Sequence, residues 1–516
     1  ENDASGLLFK STDPGGVITY NYDAEGKTKN IVSPSGTTII DYDDYGYQYK
    51  LHDIDAKTID YDYIGFGEII SQIDAKVNQS TMDFDILGRI EHKIYSPEET
   101  ITYEYDPTSK LLNSISFSNS NKQAFTYDEY QRVKTKTETI DNNTFTAAYT
   151  YDSYGNMTKE VLNNDVTLDN FFNVYGYLYQ IRADNQLVWD ANSMNKYGQI
   201  DNFTLGNSAN TVVSYDANGF VDKKETKIGS TWIQNWDYDF EVSHGTLEKR
   251  KGINPAGSFL EETFNYDNLN RLLTYNVGTN LLSISYDQSG KGNISTKSDI
   301  GTYNYASTLV HRLDSITNLS GYESGLPDQN ITYTKFNKIS TLTHVSTSDT
   351  KQLTVTYGPD EQRVKTIYSI NSTTNKTKYF GLGSYEKEIA ADNSVRELYY
   401  ISTPTGIAAI LEKTNNQTKL YYIHTDILGS FDAITNSSGA VLERLSFDPW
   451  GRRRNPNDWT YTSVPTNFLF DRGFTGHEHH DQFDLITMYG RVDAPLLEIF
   501  LSPVTFGSTR CFNQNF

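Results

Sequence analysis

A short motif recurs about every twenty residues along the chain, and this rhythm limits the fold more than any other feature. Each copy has alternating aromatic residues, then Tyr-Asp, two variable residues and usually Gly, as in the stretch Tyr149-Thr150-Tyr151-Asp152-Ser153-Tyr154-Gly155. The spacing is 19 to 24 residues between the successive aspartates Asp23, Asp43, Asp62, Asp85, Asp106, Asp128 and Asp152. Such a period predicts one supersecondary unit per copy, stacked against its neighbours.

Within a copy, the large residues alternate with polar ones, which predicts short strands with one apolar face. Tyr103 and Tyr105 flank Glu104, and Leu282, Ile284 and Tyr286 alternate with serines. Aspartate can accept hydrogen bonds from backbone N–H groups ahead of it, and Gly supplies the positive φ that a tight turn needs. A lone hairpin is marginal in water, so the units must share one sheet. We therefore predict an all-β repeat array of β-hairpins.

Composition supports β structure and an acidic surface. The 39 Tyr and 25 Phe favour pleated, half-buried surfaces, and the net charge is −22. That charge repels phosphate backbones, so we expect no nucleic-acid partner. The single cysteine, Cys511, excludes an intrachain disulfide. No apolar run is long enough to span a bilayer, and any signal sequence would lie upstream of Glu1.

From about Thr377 the repeat gives way to denser motifs. They include the stretches Tyr422-Ile423-His424-Thr425-Asp426-Ile427-Leu428-Gly429-Ser430, Ser446-Phe447-Asp448-Pro449-Trp450-Gly451-Arg452-Arg453 and Gly473-Phe474-Thr475-Gly476-His477-Glu478-His479-His480-Asp481. Each of Asp426 and Asp448 is followed by Gly within three residues, so we expect both to cap turns and assign them no chemistry.

The Tyr-Asp units resemble the YD repeats of RHS proteins, which include polymorphic-toxin shells, the cocoon subunit of Tc toxin complexes and the teneurins. The later motifs, in their order, resemble the RHS repeat-associated core domain. The resemblance implies a β-sheet that spirals into an open or partly closed hollow shell, with tyrosines packed in ladders. We accordingly expect a shell segment at 1–375, a core domain at 376–505 and a divergent tail at 506–516.

The resemblance implies a structural role for a secreted or surface-exposed bacterial protein. The wall would enclose or present a toxin polypeptide in an interbacterial or host-directed system. Only 13 residues follow Pro503, too few for a folded toxin within this sequence. An alternative is a cell-surface adhesin that binds glycans or receptors through exposed aromatic residues.

A further alternative is aspartyl autoproteolysis in cis, which the core domain of toxin-bearing relatives performs. Two carboxylates are needed because one holds a proton while the other activates water. The family motif carries these roles to Asp481 and Asp493, and Arg491 would orient or balance them.

The sequence departs from the family pattern at this point. The usual Tyr-Asp pair has become Asp493-Ala494, which in a strand would turn the carboxylate to the opposite face. The usual Gly-Arg has become Glu498-Ile499, and Val504 replaces the Asp after Pro503. We therefore expect a degraded or truncated core domain and no active protease.

The run from His477 to Asp481 contains imidazoles and carboxylates, which suit zinc. On a strand, residues 477, 479 and 481 would face one side while 478 and 480 face the other. We expect a chance surface cluster here and predict neither a metal nor a cofactor for this chain.

Overall fold

The protein is almost entirely β. The computed structural model describes residues 1–96, 99–318, 329–415, 417–488 and 490–501. In those ranges the one helical element is a 3-10 turn, Phe474–Gly476, and no helix could cross a membrane. The tail at 506–516, including Cys511, lies outside the described residues, as does Pro503. The predicted all-β class is confirmed.

The strands form three antiparallel sheets of 29, 11 and 4 strands, and within each sheet every strand pairs with the next along the chain. The first sheet contains β1 (Lys10–Asp13), β2 (Gly16–Tyr22), β3 (Thr28–Ser33), β4 (Gly36–Tyr42), β5 (Gln48–Asp53), β6 (Lys57–Tyr63), β7 (Ile69–Ile73), β8 (Gln79–Phe84), β9 (Ile90–Ser96), β10 (Glu99–Tyr105), β11 (Leu112–Phe117), β12 (Lys122–Tyr127), β13 (Val133–Ile140), β14 (Asn143–Tyr151), β15 (Met157–Leu162), β16 (Val166–Phe172), β17 (Leu178–Ala183), β18 (Gln186–Met194), β19 (Ile200–Leu205), β20 (Asn210–Tyr215), β21 (Val221–Ile228), β22 (Thr231–Glu241), β23 (Thr246–Ile253), β24 (Phe259–Tyr266), β25 (Leu272–Val277), β26 (Asn280–Tyr286), β27 (Ile294–Lys297), β28 (Gly301–Tyr305) and β29 (Leu313–Thr317).

The other two sheets come from the C-terminal part of the chain. The second sheet contains β30 (Gln329–Tyr333), β31 (Ile339–Val345), β32 (Thr350–Tyr357), β33 (Arg363–Ile370), β34 (Thr373–Gly381), β35 (Tyr385–Ala390), β36 (Val395–Thr403), β37 (Gly406–Thr414), β38 (Thr418–Thr425), β39 (Phe431–Thr435) and β40 (Val441–Arg444). The third contains β41 (Glu478–His480), β42 (Leu485–Met488), β43 (Arg491–Ala494) and β44 (Ile499–Phe500).

The Tyr-Asp motif closes the turns that follow even-numbered strands. In the turn after β14, Asp152 Oδ1 accepts hydrogen bonds from the backbone N–H groups of Tyr154 and Asn156, both at 2.9 Å. Gly155 has a φ of 92°. Among the seven aspartates that define the period, Asp62 is the exception, because it lies on β6 and the turn begins at Ile64. Backbone hydrogen bonds alone close that turn, so the aspartate is dispensable there.

The tyrosine before the aspartate ties each hairpin to the previous strand. The hydroxyl of Tyr42, at the end of β4, donates to the carbonyl of Thr28 at the start of β3, at 3.1 Å. Tyr127 bonds Leu112 in the same way at 2.7 Å. The ring covers the sheet while the hydroxyl keeps a polar partner, which explains why the repeat uses Tyr at this position.

The core lies where the second sheet packs on the first. Tyr399 and Ala409 of the second sheet join a buried cluster with Val166 and Trp189 of the first. The alternate residues of the same strands, such as Leu398 and Ile410, pack on the C-terminal segment. Both faces of β36, β37 and β38 are therefore covered.

The first and second sheets also meet along their turns. We call the turns that follow odd-numbered strands the odd edge and those that follow even-numbered strands the even edge. Lys76 Nζ, on the odd edge after β7, donates to Asn337 Oδ1 on the even edge after β30, at 3.1 Å. Gln123 Nε2, at the start of β12, likewise reaches Asp360 Oδ2 at 2.9 Å. We call this line of contact the seam.

The predicted division between residues 375 and 376 lies inside β34. Lys376 pairs there with Tyr368 of β33 and with Ala390 of β35, so the second sheet runs through this point without a break. The division into a repeat segment and a core domain stays a prediction from the motifs.

Candidate functional site

Asp481, the first predicted catalytic residue, lies directly after β41 and forms an ion pair. Its Oδ1 is 2.7 Å from Arg453 Nε and 3.9 Å from His479 Nδ1. About a third of the side chain, 35%, is exposed. Asp481 is therefore a partly solvated carboxyl group paired with Arg453.

Asp493, the second predicted residue, is in the opposite situation. It lies on β43 with only 1% of its surface exposed, and neither carboxylate oxygen has a hydrogen-bond partner. Burial, reinforced by the nearby charge of Asp448, raises the pKa of Asp493 to about 8, and Arg491 opposes this shift. The carboxyl group of Asp493 therefore holds its proton at neutral pH.

Arg491 lies two residues before Asp493 on the same strand. Its guanidinium stacks 3.7 Å above the centre of the Phe500 ring. The structure thus brings Arg491 and Asp493 into one electrostatic neighbourhood. The charged groups that shift the pKa of Asp493 are Asp448 and Arg491, and Asp481 is not among them, so the pairing of Asp481 with Asp493 stays a prediction.

Asp448 is the carboxylate that neighbours Asp493. Its Oδ1 accepts hydrogen bonds from the N–H groups of Trp450 and Arg452, both at 2.9 Å, which confirms the predicted turn cap. Its Oδ2 accepts a hydrogen bond from the Tyr461 hydroxyl at 2.6 Å. Burial raises the pKa of Asp448. The predicted cap at Asp426 is also confirmed, by the N–H groups of Leu428 and Ser430.

Sequence reasoning missed two members of this site, Glu498 and Lys297. Glu498 is 1% exposed, and its Oε1 lies 3.4 Å from Lys297 Nζ on β27. Burial raises the pKa of Glu498 to about 8, although Lys297 lowers it. Lys297 also pairs with Asp299 at 3.0 Å. We call Asp299, Asp448, Asp493 and Glu498, with Lys297, the carboxylate cluster.

The carboxylate cluster joins three parts of the chain: the first sheet, the segment after β40 and the third sheet. It combines two buried carboxyl groups whose pKa values are raised to about 8, Asp493 and Glu498, with the buried ammonium group of Lys297. Only the substitution at Glu498 gave a signal in the sequence. Lys297 sits in an ordinary repeat, and nothing local marks it.

The histidine run serves structural contacts. His479 Nε2 accepts the N–H of Phe474 at 3.0 Å, and His480 Nε2 lies 2.8 Å from Thr487 Oγ1. Glu478 is buried between Lys378, at 2.9 Å, and Arg363. The predicted surface cluster is wrong for His479 and His480, which are each 6% exposed. Within the described ranges, no group of three or more His, Cys, Asp or Glu residues could hold a metal ion.

A small cavity lies between β31–β33 and the third sheet. Its volume is about 30 Å³, and its lining includes Arg363, His480 and Arg491. This volume is close to that of one water molecule, whereas ligand pockets start at roughly 300 Å³. The cavity is therefore too small for a small-molecule substrate.

Comparison with known proteins places the chain by its fold. No family model matches it. The tRNA3(Ser)-specific nuclease WapA of Bacillus spizizenii is 26% identical over 324 residues, which cover 59% of this chain and 13% of WapA. A crystal structure of TcdB2-TccC3 superposes with a TM-score of 0.80 at 14% identity, over 97% of this chain and 30% of that one.

The chain has the fold of the Tc-toxin RHS shell. The Photorhabdus luminescens Tc holotoxin pore gives a TM-score of 0.77 at 15% identity, over 95% of this chain and 28% of that one. The predicted resemblance to RHS/YD-repeat shells is therefore confirmed as a likeness of fold. The chain spans less than a third of the length of each of these relatives.

Two of the residues at which the sequence departs from the RHS core pattern, Asp493 and Glu498, belong to the carboxylate cluster. Glu498 stands where that pattern has Gly, and it adopts a φ of 57°. A non-glycine residue with this backbone conformation costs about 1 kcal/mol. The chain thus places a strained, buried carboxyl group opposite Lys297, where the family uses a residue without a side chain.

Proposed function

We propose that the chain is a wall segment of an RHS-type shell that encloses or presents a toxin or effector polypeptide. The observation that carries this proposal is the uninterrupted antiparallel pairing of 29 strands, followed by a second sheet that packs on the first. Every inner strand has both neighbours, so the wall offers no inner strand edge for foreign chains to pair with. Its mechanism is exclusion of solvent and proteases from one side.

The class of cargo rests on the relatives. WapA is a nuclease and TcdB2-TccC3 belongs to a toxin, so a proteinaceous toxin suits a wall of this fold. A secreted or surface location follows from the same proposal.

Protease protection tests the wall. The same unstructured peptide, with several trypsin sites, is appended to the C-terminus in one protein and to the N-terminus in another. We expect trypsin to cut the C-terminal peptide at least tenfold more slowly, and negative-stain electron microscopy to show a curved wall. Equal cleavage rates together with flat or irregular particles would contradict the proposal.

A second candidate function is a single autoproteolytic cut by the core domain. Asp493 supports it, because a carboxyl group whose pKa is about 8 can act as the proton-holding partner. In this proposal Asp481 is the ionised carboxylate, Arg491 tunes Asp493, and a conformational change brings the two carboxylates together.

Mass spectrometry of the intact chain during incubation at pH 5 to 8 tests the autoprotease. We expect a C-terminal fragment to accumulate with time and to vanish in Asp481→Asn and in Asp493→Asn. Asp484→Asn, a neighbouring substitution outside the proposed pair, is the control and should still cut. An intact wild-type chain at every pH removes this candidate.

A further inference from the structure

Far from the carboxylate cluster, a serine, a histidine and an aspartate from three separate turns meet. Ser35 lies in the turn after β3, Asp55 in the turn after β5 and His311 in the turn after β28. The first two turns belong to the odd edge and the third to the even edge, so the group forms where the two edges of the first sheet touch. We call these three residues the turn triad.

The histidine of the turn triad uses both of its ring nitrogens. His311 Nε2 lies 3.3 Å from Ser35 Oγ, and His311 Nδ1 lies 2.5 Å from Asp55 Oδ2. Asp55 Oδ1 also accepts the backbone N–H of His311 at 3.3 Å. A hydroxyl and a carboxylate on opposite nitrogens of one imidazole form the arrangement in which histidine acts as a general base on serine, while the carboxylate orients the ring.

Contacts between the turns hold this arrangement in place. Lys57 Nζ donates to the carbonyl of Thr308, which joins the turn after β5 to the turn after β28. Pro34 packs on the turn after β26, where an added Cβ on Gly290 would lie 2.8 Å from Pro34 Cβ. The serine and the histidine are therefore carried by turns that support each other, and a group held in this way keeps its geometry better than one on free loops.

The surroundings of His311 favour its protonated form and leave it within reach of solvent. Burial lowers the pKa of His311, but Asp55 raises it by more, with smaller upward effects from the Lys291 carbonyl and Asp287. His311 Nε2 lies 3.2 Å from that carbonyl oxygen, to which the protonated ring can donate. After the ring loses this proton, Nε2 can accept the hydroxyl proton of Ser35. Ser35 and His311 are both partly exposed, so a small substrate can reach them.

A second group of serine, histidine and carboxylate in the same chain has a different geometry. At the end of β22, Ser243 Oγ and Glu241 Oε2 each lie 2.8 Å from the same nitrogen, His244 Nδ1. One nitrogen cannot hold a carboxylate and take the proton of a serine at the same time. The use of both nitrogens therefore distinguishes the turn triad from a chance contact of the same three residue types, and Ser243 is a natural control for Ser35.

From this geometry we infer that the turn triad is an active site that hydrolyses small carboxylic esters, with Ser35 as nucleophile, His311 as general base and Asp55 as a positioning residue. The inference does not rest on the proposed shell function.

The reaction has two steps. Ser35 Oγ forms a bond to the ester carbonyl carbon while His311 Nε2 takes the hydroxyl proton. The bond from that carbon to the alcohol oxygen then breaks, and the alcohol leaves with the proton from His311. In the second step a water molecule gives a proton to His311 and attacks the acyl carbon. The bond to Oγ breaks, Ser35 takes the proton back and the carboxylic acid leaves. An ester suits this site because an alcohol leaves more readily than an amine.

Labelling of the full chain with a fluorophosphonate, followed by peptide mapping, tests the inference. The serine oxygen forms a bond to the phosphorus of this probe and fluoride leaves. We expect Ser35 to be labelled about a hundredfold faster than Ser243, which is the low end of what a general base contributes. His311→Gln should lower the labelling of Ser35 to the rate of Ser243. Ser35→Ala should remove the hydrolysis of p-nitrophenyl acetate, whereas the matched control Ser243→Ala should hydrolyse it like the wild type.

The pH dependence of labelling tests the role of Asp55. The labelling rate of Ser35 should rise with pH and level off above the pKa of His311, because only the neutral ring accepts the serine proton. Asp55→Asn should slow the labelling by roughly tenfold or more and move the midpoint to lower pH, since Asp55 raises the pKa of His311 in the wild type.

The wild-type chain alone can overturn the inference. If Ser35 is labelled no faster than Ser243, the turn triad is only a contact between turns. The same conclusion follows if Ser35 is labelled equally fast in His311→Gln. Circular dichroism of each variant establishes that a lost reaction does not come from a lost fold.

Discussion

The N-terminal strands and β36–β38 use the same hairpin pairing and reach very different burial. In β6, Ile59, Tyr61 and Tyr63 alternate with aspartates, and no residue of the strand is fully buried. In β37, five consecutive residues from Ala408 to Glu412 are buried. The N-terminal sheet is one layer with half-covered faces, whereas β37 lies between the first sheet and the C-terminal segment.

Because the strand pairing is the same in both regions while the burial differs, we expect most of the stability to come from the layers that pack on β36–β38. A strand with one covered face needs apolar residues only at alternate positions, whereas a strand covered on both faces has a continuous run of apolar residues. We expect the N-terminal repeats to open locally long before the region around β37. The following experiments challenge that comparison.

The largest effect should come from Lys378→Met. Lys378 is 2% exposed and lies within 3.3 Å of Glu386, Glu388, Asp471 and Glu478. Its loss removes the cation that these four carboxylates share. The remaining partners, such as Arg363 for Glu478 and Arg472 for Glu386, compensate only in part, so the change costs about 3–5 kcal/mol. Urea unfolding followed by tryptophan fluorescence measures the change. The matched control, Lys50→Met, breaks the exposed Lys50–Asp60 pair and should cost less than about 1 kcal/mol.

Ile410→Ala should be the next most destabilising substitution. Ile410 is fully buried between the second sheet and the C-terminal segment, so truncation leaves a cavity and costs about 3 kcal/mol. Ile40→Ala in β4 removes the same atoms from a half-covered face and should cost about 1 kcal/mol. Equal losses of unfolding free energy would remove the distinction between the two regions.

Raising the pH from about 6.5 to 8 should weaken the attachment of the third sheet. Asp493 and Glu498 have ordinary pKa values of 3.8 and 4.5 when unfolded and about 8 when folded. The folded state therefore holds protons that the unfolded state has released. Stability falls with rising pH until the folded groups ionise, by about 3 kcal/mol over this window for the two groups together.

His311 also contributes a loss of stability as the pH rises above 6.5, because Asp55 raises its pKa although burial opposes this shift, so the double variant below is needed to identify the carboxyl groups. Burial lowers the pKa values of His479 and His480, so these groups affect the free energy of unfolding below about pH 6.5. Burial also lowers the pKa of Lys224, which affects the free energy of unfolding mainly above about pH 8. In the double variant Asp493→Asn, Glu498→Gln, the melting temperature should fall less steeply with pH between 6.5 and 8 than in the wild type. An unchanged slope would mean that the carboxylate cluster is not the source.

The smallest effect should come from a substitution in a single turn of the first sheet. Gly155 has a φ of 92° and no atom within 4 Å of an added Cβ, so Gly155→Ala costs about 1 kcal/mol through the backbone alone. Gly65 also has open space but no positive φ, so Gly65→Ala should be nearly neutral. Hydrogen exchange of the surrounding amides measures both changes, and equal protection would contradict the turn argument.

Much of the fold could be predicted, because each copy of the repeat contains the residues that form its own turn and strands. The Tyr-Asp-x-x-Gly pattern predicted hairpins, and Asp152 and Gly155 act in the turn as expected. The exception at Asp62 arose because backbone bonds close that turn without a side chain. In the candidate site, the motif placed Arg491 and Asp493 together but gave no hint that Asp448 was the neighbouring carboxylate.

By itself, the sequence determined the hairpin period, the turn type and the single apolar face of each strand, because these depend on residues a few positions apart. Only the tertiary structure decided which edges and faces meet. The pairing of Lys297 with Glu498 and the packing of Tyr95 on Phe336 join residues far apart in the chain. Such contacts depend on how the twisted sheets pack on one another, which a pattern of residues close together in the sequence does not determine.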